Sequence, residues 1–155
     1  MKTIRVPVVR FLGETTLELK GDFDLHAQAI KIDHAKTEVL HLHSQTSEGW
    51  VLFSGLALLG IVYVNEIDRT LREACVEIPF TKSVEAPGSE PDMTVVLENL
   101  EIKQTSMILI DPPGRRTTHC RYALVLSIKF KVARESDLLF EEPNPNVHHP
   151  PGGGR

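Results

Sequence analysis

Asp22, Asp24 and His26 follow one another at i, i+2, i+4. On a strand that spacing puts two carboxylates and an imidazole on one face, a partial ligand set for a divalent cation. No glycine follows at calcium-loop spacing and no glutamate closes the set, so the trio reads as a solvated strand or turn. His41 and His43 also alternate onto one face, opposite Leu40 and Leu42. Two imidazoles fall short of a zinc set, and the chain has no CxxC or HExxH. His119 and Cys120 are adjacent, so a strand would turn them to opposite faces, and His148-His149 sit in a Pro/Gly-rich tail. Cys75 with a distant histidine would make a nucleophile pair, but nothing in the sequence selects the partner. There is no GxSxG, no phosphate-binding glycine loop and no dinucleotide fingerprint. We therefore expect no catalytic residue, no metal and no cofactor.

The elements that must position these residues are strands. No segment keeps apolar residues at i, i+3, i+4, i+7 over three turns, whereas alternation is widespread. Strands are expected near 3–11, 15–20, 28–44, 50–64, 70–80, 94–110 and 117–133, with one short turn within 68–74. Separated by Gly, Pro and Asp turns, they predict an all-β fold. It is an antiparallel β-sandwich or barrel-like domain of about seven strands, with an extended Pro/Gly-rich C-terminal tail. The segment 117–133 is apolar at Tyr122, Leu124, Leu126, Ile128 and Phe130, which with Ile78 and Phe80 should form core. Cys120 shares that inward parity, while Cys75 opposes Val76 and Ile78 and points out, so two free thiols are expected. Pro79 has no N–H, which bars its strand from pairing on both sides at that point.

The stretch 50–64 does not alternate: both of its faces are apolar and both need a cover. Either the N-terminal segment covers the second face or another subunit does. Interface candidates are Phe53, Leu56, Leu58 and outward-facing Cys75. In the tail, Pro143, Pro145, Pro150 and Pro151 favour an extended conformation that suits a groove better than a sheet edge. The segment 3–11 is better suited to adding a strand, to its own subunit or a neighbour. A chain of 155 residues with 25% charged and 41% hydrophobic residues fits one soluble domain with a real core. Its net charge of −4 argues against a dedicated nucleic-acid binder. The longest apolar run, Trp50 to Val64, is too short for a membrane helix. Met1 to Pro7 lacks the apolar core of a signal peptide, so synthesis in a cytoplasm is expected.

One passage is more specific. Val76-Glu77-Ile78-Pro79-Phe80 is followed by Ala86-Pro87-Gly88-Ser89-Glu90-Pro91-Asp92-Met93. It is preceded by Ala29-x-Lys31-Ile32, by Gly49-x-Val51 and by a long strand ending Val62-Tyr63-Val64. In that order, residues 28–134 resemble the SPOCS domain of spore-coat and spore-morphogenesis proteins in endospore-forming Firmicutes. The resemblance departs at Leu56-Ala57-Leu58-Leu59, where the family pattern is more polar, and at Asp92, where the family usually has glycine. The chain then divides into an N-terminal strand segment (1–27), a SPOCS-like β-domain (28–140) and a Pro/His/Gly-rich tail (141–155). The resemblance implies a non-enzymatic structural or assembly protein. Such a protein would associate with itself, as a homo-oligomer or filament, or with other spore-coat proteins. Made in the mother-cell cytoplasm, it would end at the spore surface or in an extracellular assembly. The competing reading is a small β-fold module that holds a metal or ligand through its His-rich surface.

Overall fold

The alternating runs form six strands: β1 (Lys2–Asp24), β2 (Ala29–Ser47), β3 (Trp50–Asn65), β4 (Leu71–Glu85), β5 (Thr94–Ile110) and β6 (His119–Phe140). The structure, a computed structural model, describes residues 2–140, with side chains from 3 to 136. The expected tail 141–155 lies outside the described residues. The count is six and not seven because 3–11 and 15–20 belong to one strand. Gly13, which reads as a break, is a β1 position paired with Phe130. The phenyl ring lies where a side chain of residue 13 would be. The turn expected within 68–74 lies earlier, at 66–68, and from Leu71 the chain is already β4.

The strands make two antiparallel three-stranded sheets, β1-β6-β5 and β2-β3-β4. They stack as a sandwich with β6 over β3, β1 over β4 and β5 over β2. Even residues of β6 and odd residues of β3 point inward because successive side chains alternate. Phe130 and Phe53 meet edge-to-face with centroids 4.9 Å apart, a favoured aromatic geometry. Leu59, Leu124 and Leu126 fill the middle, and Ile61, Tyr63 and Cys120 fill the far end. The core set read from the sequence holds, with Ile78 at its half-buried margin.

β4 is an edge strand, as Pro79 requires, and so is β1, which carries Pro7. The N-terminal segment adds its strand to its own chain: β1 pairs with β6 along its whole length, with one bulge between Val9 and Phe11. It therefore does not cover the second face of β3. The inner face of β3 packs on β6, and among the described residues no layer lies over the outer face. Beyond Ala133, where β5 begins to pair, β1 and β6 continue as a two-stranded ribbon.

The Ala86–Met93 passage closes one end of the sandwich. Pro87-Gly88 makes a turn with Gly88 at φ 88°. The chain returns so that Ser89, 2% exposed, sits under the β2–β3 hairpin. Ser89 Oγ donates to the Ser47 carbonyl at 3.0 Å, and Gly49 N donates to the Ser89 carbonyl at 2.9 Å. Asp92, at the position that departs from the family's glycine, accepts from Arg134 at 3.0 Å, beside Glu90 at 2.9 Å. The opposite end is closed by 25–29 running against 117–118, where Thr118 N donates to the Ala27 carbonyl at 2.8 Å.

Candidate functional site

Two surfaces gather the residues that the sequence singles out. The first is where β1 ends beside the start of β6. Asp22 and Asp24 share the outer face of β1, and pairing sets Asp24 opposite His119. His119 is 8% exposed and its Nδ1 donates to Asp22 Oδ1 at 3.0 Å. Thr117 Oγ1 and the His26 backbone N each donate to Asp24 Oδ1 at 2.7 Å. Those bonds, the threonine's first, lower the Asp24 pKa below the usual carboxylate value. His26 leaves the strand with φ 57°, so the i, i+2, i+4 face ends at Asp24. His119 was not legible as the partner of these aspartates, because only β1–β6 pairing brings it across the chain. Among the described residues, no group of three or more His, Cys, Asp or Glu is placed to hold a metal ion.

His41 and His43 do not share a face in the simple way that alternation suggests. The β2–β3 register shifts between Leu40 and His43, and His41 has φ 53°. Such a bulge inserts a residue and reverses the parity beyond it. Leu40 pairs with Leu56 on the outer face, while Leu42 packs into the core.

The second surface is the outer face of β2-β3-β4. Along β3 it presents Leu52, Leu56, Leu58, Gly60, Val62 and Val64 as a central apolar stripe. Leu52 is 40% exposed, and Leu71, beside Val64 on β4, is 60% exposed. Leu40 and Pro79 flank Leu56. Around Gly60 the face sinks into a shallow depression of about 440 Å³ lined by Leu58, Val62, His34, Lys36, Glu73 and Cys75. Of the interface candidates, Leu56, Leu58 and Cys75 come together on this face. Phe53 does not: it is 1% exposed and belongs to the core, because its odd parity turns it towards Phe130. Pro143, Pro145, Pro150 and Pro151 lie outside the described residues.

The charges on this face are polarised across the stripe. Its β2 margin carries Lys31, His34 and Lys36, with Glu38 bound to Lys36 at 3.0 Å. Its β4 margin carries Glu73, Glu77 and Glu85. The outer face of the other sheet is different. There β6 presents Arg121, Lys129 and Lys131, and Ser127 Oγ donates to Glu14 Oε2 at 3.2 Å. On that face Leu12 and Val96 flank Lys131, and Ile108 sits beside Arg121, so its exposed apolar residues are interleaved with charge.

Both thiols are free. Cys75 is exposed, and Cys120 is buried, which pushes its pKa up to about 11. Among the described residues, no helix is long and apolar enough to cross a membrane.

Comparison with known proteins places one family on the chain. The family model described as SipL, SPOCS domain matches residues 28–109, just over half of the chain. The match spans β2 to β5 and stops short of the closing strand, which the resemblance read from the sequence includes. No curated protein and no solved structure matches.

Proposed function

The chain belongs to the SPOCS-domain family, and from that premise we propose that it is a non-enzymatic assembly subunit of a spore-surface layer or appendage. It joins copies of itself or partner coat proteins through the outer face of β2-β3-β4. The protein is made in the mother-cell cytoplasm and ends in that layer. The observation that supports this reading is the contrast between the two outer faces. One interleaves charged, hydrogen-bonded side chains with the separate apolar residues Leu12, Val96 and Ile108. The other carries Leu56, Leu58, Val62, Val64 and Leu71 as an apolar stripe, with Leu52 beyond Ser54, of the kind that marks protein-interaction surfaces.

Light scattering and negative-stain microscopy of the full-length chain over a concentration series test the reading. Concentration-dependent association into dimers or larger ordered assemblies is the expected result. A chain that stays monomeric at all concentrations and binds a metal or small ligand stoichiometrically overturns it.

A further inference from the structure

We infer that the outer face of β2-β3-β4 pairs with the same face of a second copy, around a two-fold axis running along β3, so that β2 of each copy lies over β4 of the other. This rests on the assembly reading and names the partner and the geometry.

The charge pattern selects both. Two identical sheets can meet face to face about an axis along the strands or across them. An axis across the strands puts β4 on β4 running the opposite way, so the acidic margin with Glu73, Glu77 and Glu85 faces the same acidic margin of the other copy. It likewise sets the β2 margin, with Lys31 and Lys36, against the same margin of the other copy. An axis along the strands exchanges the margins. His34, level with Val62, then faces Glu73, which is level with Val62 from the other side. Lys36, level with Gly60, faces Cys75 and lies between Glu73 and Glu77. Leu40 faces Pro79, both being level with Leu56. Glu38 facing Glu77 is the one adverse pairing, and Lys36 already neutralises Glu38. A closed two-fold interface is self-complementary in this way: residue i meets j and j meets i.

Size and shape agree. Three strands about 4.8 Å apart and about 13 residues long at about 3.3 Å each give roughly 600 Å² per copy, or about 1,200 Å² for the pair, the lower end of stable interfaces. Gly60 lies near the axis. A Cβ placed there would meet only Cys75 Cβ at 3.7 Å and the Ala74 carbonyl at 3.9 Å, ordinary contacts. The chain's own packing therefore does not demand glycine at 60, whereas at Gly13, Gly21 and Gly55 an aromatic ring fills the space. A low centre lets two sheets approach while Leu58 and Val62 close around it.

The test compares self-association of full-length wild type, Lys36→Glu, the pair Glu73→Lys/Glu77→Lys, and the chain carrying all three changes, by sedimentation velocity. These side chains are exposed, so circular dichroism should show every variant folded. Each one-sided reversal should raise the dimer Kd by about tenfold or more, because each occurs twice in the pair. The triple variant, with its charges exchanged, should recover to within about threefold of wild type. Leu58→Asp should abolish the dimer. If wild type associates but neither the reversals nor Leu58→Asp alter it, another surface is used: the assembly reading survives and this inference falls. If both reversals weaken association and the triple variant does not recover, the β2-over-β4 geometry is wrong. A wild-type chain that never associates sinks the inference and the assembly reading together.

Discussion

Gly13, Gly21 and Gly55 are the cross-strand partners of Phe130, Tyr122 and Phe80. In each pair the ring lies over the glycine, so the absent side chain is the seat of an aromatic one. A methyl at Gly13 would lie 2.5 Å from Phe11 Cε2 and 2.6 Å from Phe130 Cζ. Phe130 cannot withdraw, because it is fully buried against Phe53. Gly13→Ala should therefore cost about 1–3 kcal/mol in urea unfolding, as overpacking does. Gly60→Ala serves as the control. With open space and an ordinary backbone it should be neutral or gain up to about 1 kcal/mol. Equal effects at the two positions would contradict the packing argument.

The β3–β4 connection is fastened by Asp68. Its carboxylate accepts from the Thr70 hydroxyl at 2.7 Å, the Thr70 N at 3.1 Å and Arg72 at 2.7 Å. Those bonds, the hydroxyl's first, bring the pKa down from 3.8 to about 2. The folded-state value lies below the unfolded one, so the contribution to stability is complete above about pH 4. It fades as pH falls towards about 2. Urea midpoints measured from pH 7 down to pH 2 should show a shallower acid limb for Asp68→Asn than for wild type. They should also show a less stable variant at neutral pH. Parallel acid limbs would mean that the turn does not hold the carboxylate in this way. The other lock, Ser89 under the β2–β3 hairpin, shows why Ala86-Pro87-Gly88-Ser89 is so recognisable. The turn must reverse within two residues and then bury a hydroxyl on a carbonyl.

For the molecule as a whole, the two sheets create an inside and two unlike outsides. The thiols report on both. Cys120 is enclosed and its pKa is raised to about 11, while Cys75 stands on the apolar outer face. A thiol reagent should modify one cysteine rapidly in the native chain and the second only after unfolding, as intact-mass counting would show. At concentrations where the chain associates, labelling of Cys75 should slow as well. Undiminished labelling in the assembled state would place the contact elsewhere. Rapid modification of Cys120 in the native chain would contradict the enclosed core.

The sequence by itself determined the strands, their inward residues and the two thiol orientations. It also determined that Pro79 lies on an edge and which family the chain joins. Alternation and proline chemistry are local, and a side chain's parity needs no knowledge of distant partners. Only the tertiary structure decided what each long strand rests on. Gly13 reads locally as a break, but β6 supplies a ring that makes it a seat within one continuous β1. His41 and His43 read as a pair opposite both Leu40 and Leu42, but a bulge keeps Leu40 outside and Leu42 inside and puts His41 at the irregular position. Phe53 and Leu56 read alike as apolar residues of a two-faced strand. The single layer laid by β6 buries one and leaves the other on the surface. His119 meets Asp22 because β1 and β6 pair along their whole length. Such contacts join residues nearly a hundred positions apart, and no local pattern encodes which distant strand becomes the neighbour.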